Sequence, residues 1–506
     1  MSGPMFSDLD KEIDFLRTLV QQRFSVYETR VTPQAVQFHV TVDPATMEAK
    51  FDELRVDLVP KNYIPILTKE KGEHVVVVQR RAPQRFLGVQ VNLVLLLLTV
   101  ATTTWAGAVN WGGYDNIDWF TGEAFLKGSV FFTLPLLAIL GIHEMGHYVM
   151  AKRYKVHASL PFFLPAPGTF LGTFGAMISM RDPMPNRKAL IDIGAAGPIL
   201  GLVTAIPITL LGMALWTADP RPAPLDSGGA VVINLPILYQ VLGYFLPIPR
   251  DTIIHPTAFA GWVGLFVTAL NLIPAGQLDG GHVARAVFGE RAKYLSYVAI
   301  AAMLVFGLSY YGWFIIAVFI LLLGARHPPP LNDLSPLDSR RYLMAAGAAA
   351  VLILSAVAIP LDFVSPVLKV NFTATGDATP VSALNATVQN GTVQTFTFSL
   401  ANKGNVKTNV SLTLDGLATL ENVGLFIAFS NVTVGNRSMV FSANATWIVF
   451  STNETANVTL TVNATGYALA TGLLWPFTVK AHAAMVEDLG VPPKDVELTV
   501  NLRVVP

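Results

Sequence analysis

Cysteine is absent from the 506 residues. Its absence excludes disulfides, thiolate metal ligands and a thiol nucleophile, so any bound metal must be held by His, Asp or Glu. Charge is also scarce: Asp, Glu, Lys and Arg make up 13% of the chain, and the 34 basic residues equal the 34 acidic ones. No excess of one sign points to nucleic acid or to an acidic partner. The first 20 residues contain no apolar run of the kind a cleavable signal needs, because Asp10, Lys11, Glu12 and Asp14 interrupt them; the N-terminus is therefore expected in the cytosol. What is abundant is apolar residues, 52% of the chain with a mean hydropathy of +0.50. That is the composition of a membrane protein.

The chain reads as a multi-span α-helical membrane protein with a small cytosolic α+β domain before it and an outer β-sandwich after it. Residues 1–85 carry an amphipathic helix around 9–23, a strand at Val36–Val42, a helix near 45–56 and a hairpin through Ile64–Leu67 and His74–Gln79. From Phe86 to 361, apolar runs of bilayer length occur at 86–108, 128–151, 189–216, 257–276 and 340–361. A further apolar stretch, 294–325, is broken by Tyr310-Tyr311-Gly312-Trp313 and reads as a helical hairpin, which brings the expected crossings to seven. Basic residues keep to one side: Arg80, Arg81 and Arg85; Lys152, Arg153 and Lys155; Arg181, Arg187 and Lys188; Arg285, Arg291 and Lys293; Arg340 and Arg341. With the N-terminus inside, all of them fall in the cytosol. The apolar segment 231–248 would upset this pattern as a span, and Pro236, Pro247 and Pro249 make it an interfacial or re-entrant segment instead.

Residues 366–506 alternate apolar and polar positions, as in Val393–Leu400, Val410–Leu414 and Asn457–Val462, the pattern of a β-sandwich. Their texture is similar to that of Ig-like modules. Of the 14 asparagines after residue 362, ten lie in Asn-X-Ser/Thr (371, 385, 390, 409, 431, 436, 444, 453, 457 and 463), against none of the eight before it. A glycosylated domain outside the cell membrane is expected, and an odd number of spans delivers it there.

The second apolar run ends Gly141-Ile142-His143-Glu144-Met145-Gly146-His147. At 3.6 residues per turn, His143 and His147 share one helix face and can hold one zinc ion, with Glu144 beside them as the base for water. His147 lies five residues before Lys152, so the site is expected roughly 7–8 Å inside the cytosolic boundary. One more protein ligand is required. Asp192, at the start of the third run, is one candidate. Asp279 is another, in Asn271-Leu272-Ile273-Pro274-Ala275-Gly276-Gln277-Leu278-Asp279-Gly280-Gly281-His282, where Pro and Gly unwind the helix.

His-Glu-x-x-His in one span and Asn-x-x-Pro-x-x-x-x-Asp-Gly-Gly in a later one resemble the site-2 protease family of intramembrane zinc metalloproteases. The segments Gly168–Ala176 and Asp192–Pro198 are similar to further family features, and the resemblance covers roughly 86–290. It implies zinc on His143, His147 and Asp279, Glu144 as general base, Asn271 on the substrate backbone, and regulated proteolysis of membrane-tethered substrates within the lipid bilayer. The stretch Gly172, Thr173, Phe174 and Gly175 reads as a hairpin offering a free strand edge to an extended substrate, or as a loop that closes the cavity floor. His282 reads as an outer partner of the metal ligands or as a cap. Gly197 and Gly201 read as a helix-packing face. The rival reading is a non-proteolytic metal-binding scaffold or transporter with an outer adhesion module; homo-oligomerisation is left open by either.

Overall fold

The computed structural model describes residues 9–81, 88–223, 231–249, 252–363, 365–375, 379–435, 437–440, 447–466, 472–486 and 491–506. Arg85, the start of the run at 86–108 and the sequons at Asn436 and Asn444 lie outside the described residues. The chain divides into two units, Met1–Pro222 with Asn234–Pro360, and Ala223–Ile233 with Leu361–Pro506.

The first unit opens with α1 (Leu9–Gln21), β1 (Ser25–Val31), β2 (Ala35–Thr41), α2 (Met47–Leu58), β3 (Tyr63–Glu70) and β4 (Glu73–Arg80), the strands forming one antiparallel sheet in the order β1-β2-β4-β3. Leu16 and Val20 of α1 and Phe51, Leu54 and Leu58 of α2 pack on Phe38, Val76 and Val78 of the sheet. Sequence reading had no β1, and the reason is visible: as an edge strand it has no buried position, so its pattern lacks the apolar alternation that marks β2.

Among the described residues, three helices in this unit are long and apolar enough to cross a membrane: α3 (Val89–Asp115), the continuous helix Gly122–Arg153, and α6 (Arg187–Ala218). The middle one joins α4 (Gly122–Gly128) to α5 (Leu134–Arg153) through a π-helical turn at Ser129–Thr133. Between α5 and α6 a hairpin pairs β5 (Phe162–Pro165) with β6 (Thr173–Met177). α6 is capped by Asn186, whose side chain accepts from Ala189 N at 2.8 Å, and it continues through Pro198 and Pro207. The remaining helices are α7 (Ile237–Phe245), α8 (Pro256–Asn271), α9 (Asp279–Phe288), α10 (Ala292–Phe306), α11 (Gly312–Leu323) and α12 (Ser339–Ser355). They run from 9 to 17 residues, so that α12 alone comes within the roughly 17–25 usual for a full crossing. α8 stops at 16 residues because the chain leaves the helix over 272–278. The segment 231–248 is not one element: Val231–Ile233 pairs with Leu361–Phe363 in the second unit, while α7 belongs to the first and starts only after Pro236.

The second unit is two five-stranded sheets around one apolar core. One sheet runs Val370–Ala374, Val393–Asn402, Thr455–Asn463, Phe426–Val434, Arg437–Val440; the other runs Ala383–Gln389, Lys494–Val505, Leu474–Met485, Thr408–Asp415, Trp447–Phe450. Phe372, Phe398, Leu400 and Val458 of the first sheet and Val479, Leu498 and Val500 of the second are buried between them. Ala383–Gln389 pairs parallel to the C-terminal strand, whereas the other pairings are antiparallel. Asn385, Asn453 and Asn457 are exposed, and Asn371, Asn390, Asn409, Asn431 and Asn463 are half-buried.

Candidate metal centre

α5 carries His143 and His147 one turn apart on its buried face, 3% and 5% exposed. Opposite them the chain has left α8 and re-enters helix at Asp279, the first residue of α9. The turn between depends on close backbone approach: a Cβ on Gly280 would fall on the carbonyl of Leu272, and one on Gly281 on that of Gly276. Only glycine fits both.

Three atoms converge. His143 Nε2 lies 3.2 Å from His147 Nε2 and 3.3 Å from Asp279 Oδ2, and His147 Nε2 lies 3.2 Å from the same Oδ2. The tautomer of neutral His147 follows from its other nitrogen: Nδ1 is 2.7 Å from the carbonyl of Ile193, which can only accept, so Nδ1 carries the hydrogen and the neutral ring keeps its lone pair on Nε2. Two imidazole nitrogens and a carboxylate oxygen turned on one another can hold a cation between them. Their spacing suits zinc, since bonds of about 2.0–2.1 Å in a tetrahedron put neighbouring donors about 3.3–3.4 Å apart. Glu144, 5% exposed, brings Oε1 to 3.9 Å from His143 Nε2, near the triangle but not part of it. Asn271 Nδ2, at the end of α8, is 3.1 Å from His143 Nε2.

The other candidate carboxylate is engaged elsewhere. Asp192 accepts from Tyr154 Oη at 2.5 Å and from Arg341 Nη2 and Nε at 2.5 and 3.0 Å. His282 also has a different partner from the one sequence reading offered: its Nδ1 is 2.5 Å from His327 Nε2, and its Cβ packs against Gly194.

The hairpin holds Gly172, Thr173, Phe174 and Gly175 in distinct settings. Gly172 has φ +72° and lies against the backbone of Thr102 in α3, whose hydroxyl donates to its carbonyl at 2.6 Å. Thr173 turns inward and bonds the carbonyl of Leu164 at 2.8 Å, while Phe174 is 76% exposed and Gly175 has φ +103°. β6 pairs with β5 along one side.

Sequence reading missed one wall of the site. Gly194, Gly197 and Gly201 lie on the face of α6 that meets the histidines: a Cβ on Gly197 would overlap His147 Nε2, one on Gly201 would come within 2.8 Å of His143 Nδ1, and one on Gly194 within 2.7 Å of His282 Cβ. Gly146 of α5 completes the approach, since its Cβ would sit 2.7 Å from the carbonyl of Ala196. The spacing i, i+3, i+7 is a signal present in the sequence, where Gly197 and Gly201 read as a helix-packing face and Gly194 and Gly197 fall in the family-like stretch Asp192–Pro198.

Residues 131–310 match the model of peptidase family M50. "Probable zinc metalloprotease EGY1, chloroplastic" of Arabidopsis thaliana is 28% identical over 296 residues, 52% of this chain and 52% of that one. Its namesake in Oryza sativa subsp. japonica is 34% identical over 178 residues, 34% of this chain and 30% of that one. The chain thus spans about half, or less, of the length of these relatives. Among solved structures, a PapD-like domain of human CEP192 is 8% identical over 27% of this chain and 86% of that chain, at a TM-score of 0.17.

Proposed function

From the match of residues 131–310 to peptidase family M50, we propose that the chain is a membrane-embedded zinc endopeptidase that cuts peptide bonds in or beside the transmembrane helices of membrane-tethered proteins. The observation that carries this reading is the convergence of His143, His147 and Asp279 at 3.2–3.3 Å with Glu144 alongside. Zinc held by those three residues would supply the Lewis acidity that polarises a carbonyl and makes a water a stronger acid. Glu144 takes the proton of the attacking water and returns it to the leaving amine. Asn271 and the free side of β6 hold the substrate backbone; a helical substrate must unwind to present an extended strand to that edge. The seven crossings, four of them made by the shorter helices α8, α10, α11 and α12, the cytosolic N-terminus, the outer glycosylated sandwich and residence in the cell membrane belong to the same proposal. In it, a substrate is trimmed first and then cut here, and the sandwich excludes bulky ectodomains. Removal of 366–506 should therefore erase the preference for trimmed over intact substrate.

The deciding experiment is cleavage of a transmembrane reporter in liposomes by wild type, Glu144→Gln and Asp279→Ala. Glu144→Gln should retain zinc and lose activity by about 10²–10⁴-fold. Asp279→Ala should lose zinc as well. Undiminished cleavage by Glu144→Gln would remove the assigned base, and metal flux without cleavage would favour a transporter.

A further inference from the structure

A chain of polar contacts outside the metal centre runs from the N-terminal domain to α12 and passes one residue from the group that orients His147. It begins at Arg55 of α2, only 1% exposed, which is held by Asp52 Oδ1 at 2.8 and 2.9 Å. Its Nη2 and Nη1 donate to the carbonyls of Tyr154 and Lys155 at 2.9 and 3.2 Å. Those are the residues that follow α5, the helix bearing His143 and His147, so a guanidinium sits on the C-terminal carbonyls of the ligand helix. A cation there satisfies unpaired carbonyls and meets the negative end of the helix dipole.

The same Tyr154 continues the chain through its side chain. Its hydroxyl donates to Asp192 at 2.5 Å and lies 3.0 Å from Arg341 Nη2. Arg341 grips both carboxylate oxygens of Asp192, at 3.0 and 2.5 Å. Its backbone N–H donates at 3.0 Å to Asp338, the N-cap of α12, which its guanidinium also pairs with. Asp192 adjoins Ile193, whose carbonyl receives the Nδ1–H of His147. One turn of α6 therefore carries, on consecutive residues, the anchor of α12 and the acceptor that sets the tautomer and ring angle of His147.

We propose that Arg55, Tyr154, Asp192 and Arg341 are positioning residues, a relay that ties the N-terminal domain and α12 to the turn of α6 that orients His147. The inference rests on the proposed zinc protease reading. None of the four reaches the triangle of ligand atoms; each acts by fixing where the Ile193 carbonyl points. Partners of this kind, one step beyond the ligands, typically change metal affinity by about 10–100-fold when lost.

The test uses the full-length protein in liposomes and reads zinc affinity by chelator competition, kcat and KM for a transmembrane reporter, and thermal melting. Asp192→Asn and Arg341→Met are expected to weaken zinc binding about tenfold and to lower kcat with KM unchanged. Arg341→Lys should not restore either, because a single ammonium cannot span two carboxylate oxygens and a hydroxyl. Arg55→Met should show a smaller fall, and Arg55→Lys should recover part of it by donating to the same carbonyls. Tyr154→Phe removes one hydroxyl and serves where Asp192→Asn does not fold; it should shift zinc affinity in the same direction. Glu12→Gln, which disturbs the N-terminal domain away from the relay, should lower melting without touching zinc affinity. Wild-type zinc affinity and kcat in Asp192→Asn, Arg341→Met and Tyr154→Phe would overturn the relay alone. A wild type that neither binds zinc nor cleaves would overturn the protease reading and the relay with it.

Discussion

The helical membrane segment and the C-terminal sandwich sort the same residue types in opposite directions. In the sandwich, Phe372, Phe398, Leu400, Val458 and Val479 are buried and threonines such as Thr395 and Thr397 face out. In the helices, Leu97, Val203, Phe319 and Leu322 are 61%, 60%, 53% and 81% exposed, while His143, Glu144, His147, Thr209 and Thr268 are buried. One driving force explains both, because apolar surface leaves water in each case. In the sandwich it leaves by entering a core; in the helices it leaves by facing lipid, which frees interior positions for polar groups. The site can exist there because the interior is not needed for apolar burial.

The sharpest way to separate the two regions is to damage one core. Phe398→Ala, at a position 2% exposed, should cost about 3–5 kcal/mol of sandwich stability, with reporter cleavage by the membrane segment unchanged; parallel loss of cleavage would show the two to be one cooperative unit. Charge probes the outer faces. Val203→Lys, midway along α6, should cost roughly 2.5–3.5 kcal/mol of membrane insertion, whereas Thr395→Lys on the sandwich surface should stay within about 0.5 kcal/mol. Similar penalties in an insertion assay and a melting assay would erase the contrast. Gly197→Val places carbon where His147 Nε2 lies, so less zinc should co-purify and cleavage should drop about 100-fold, while sandwich melting holds.

The smallest effect belongs to the N-terminal domain, built like the sandwich around an apolar core but with one carboxylate inside. Glu12 is 4% exposed and accepts from Arg80 Nε at 2.7 Å and Tyr63 Oη at 2.9 Å. The hydrogen bond from Arg80, working against burial, holds its pKa below the usual glutamate value. A depressed folded pKa stabilises above the unfolded value, about 4.3, and that contribution is lost as pH falls through the folded one. The melting difference between wild type and Glu12→Gln should accordingly shrink from pH 7 toward pH 3. A difference that grew with acid would reverse the assignment.

How much was legible differs along the chain for physical reasons. The alternation in Val393–Leu400 is enough to place a strand, since side chains of period two must face core and solvent in turn. β1 was hidden because an edge with no buried residue carries no such pattern. Crossings beyond the three long helices were read from apolar runs, but a run does not show where a helix stops: α8 ends at Asn271 because Gly280 and Gly281 bring the following backbone back against it. His282 was placed by its distance along the chain from Asp279, yet its ring meets His327, 45 residues away.

By itself the sequence determined the pair His143 and His147 and the position of Glu144 next to them, because helical periodicity is local and dictates which side chains share a face. It also determined, through composition, that this helix is apolar enough for a membrane. The family resemblance already pointed to Asp279, and the tertiary structure sets its Oδ2 beside both imidazoles while Asp192 pairs with Tyr154 and Arg341. Both are carboxylates beside apolar helix, and what separates them is the approach of α5, α6 and the turn before α9 where glycines remove the intervening Cβ atoms. Only the tertiary structure decided the tautomer of neutral His147, through a carbonyl 46 residues away. Such convergence is a property of surfaces brought together, which no single stretch of chain contains.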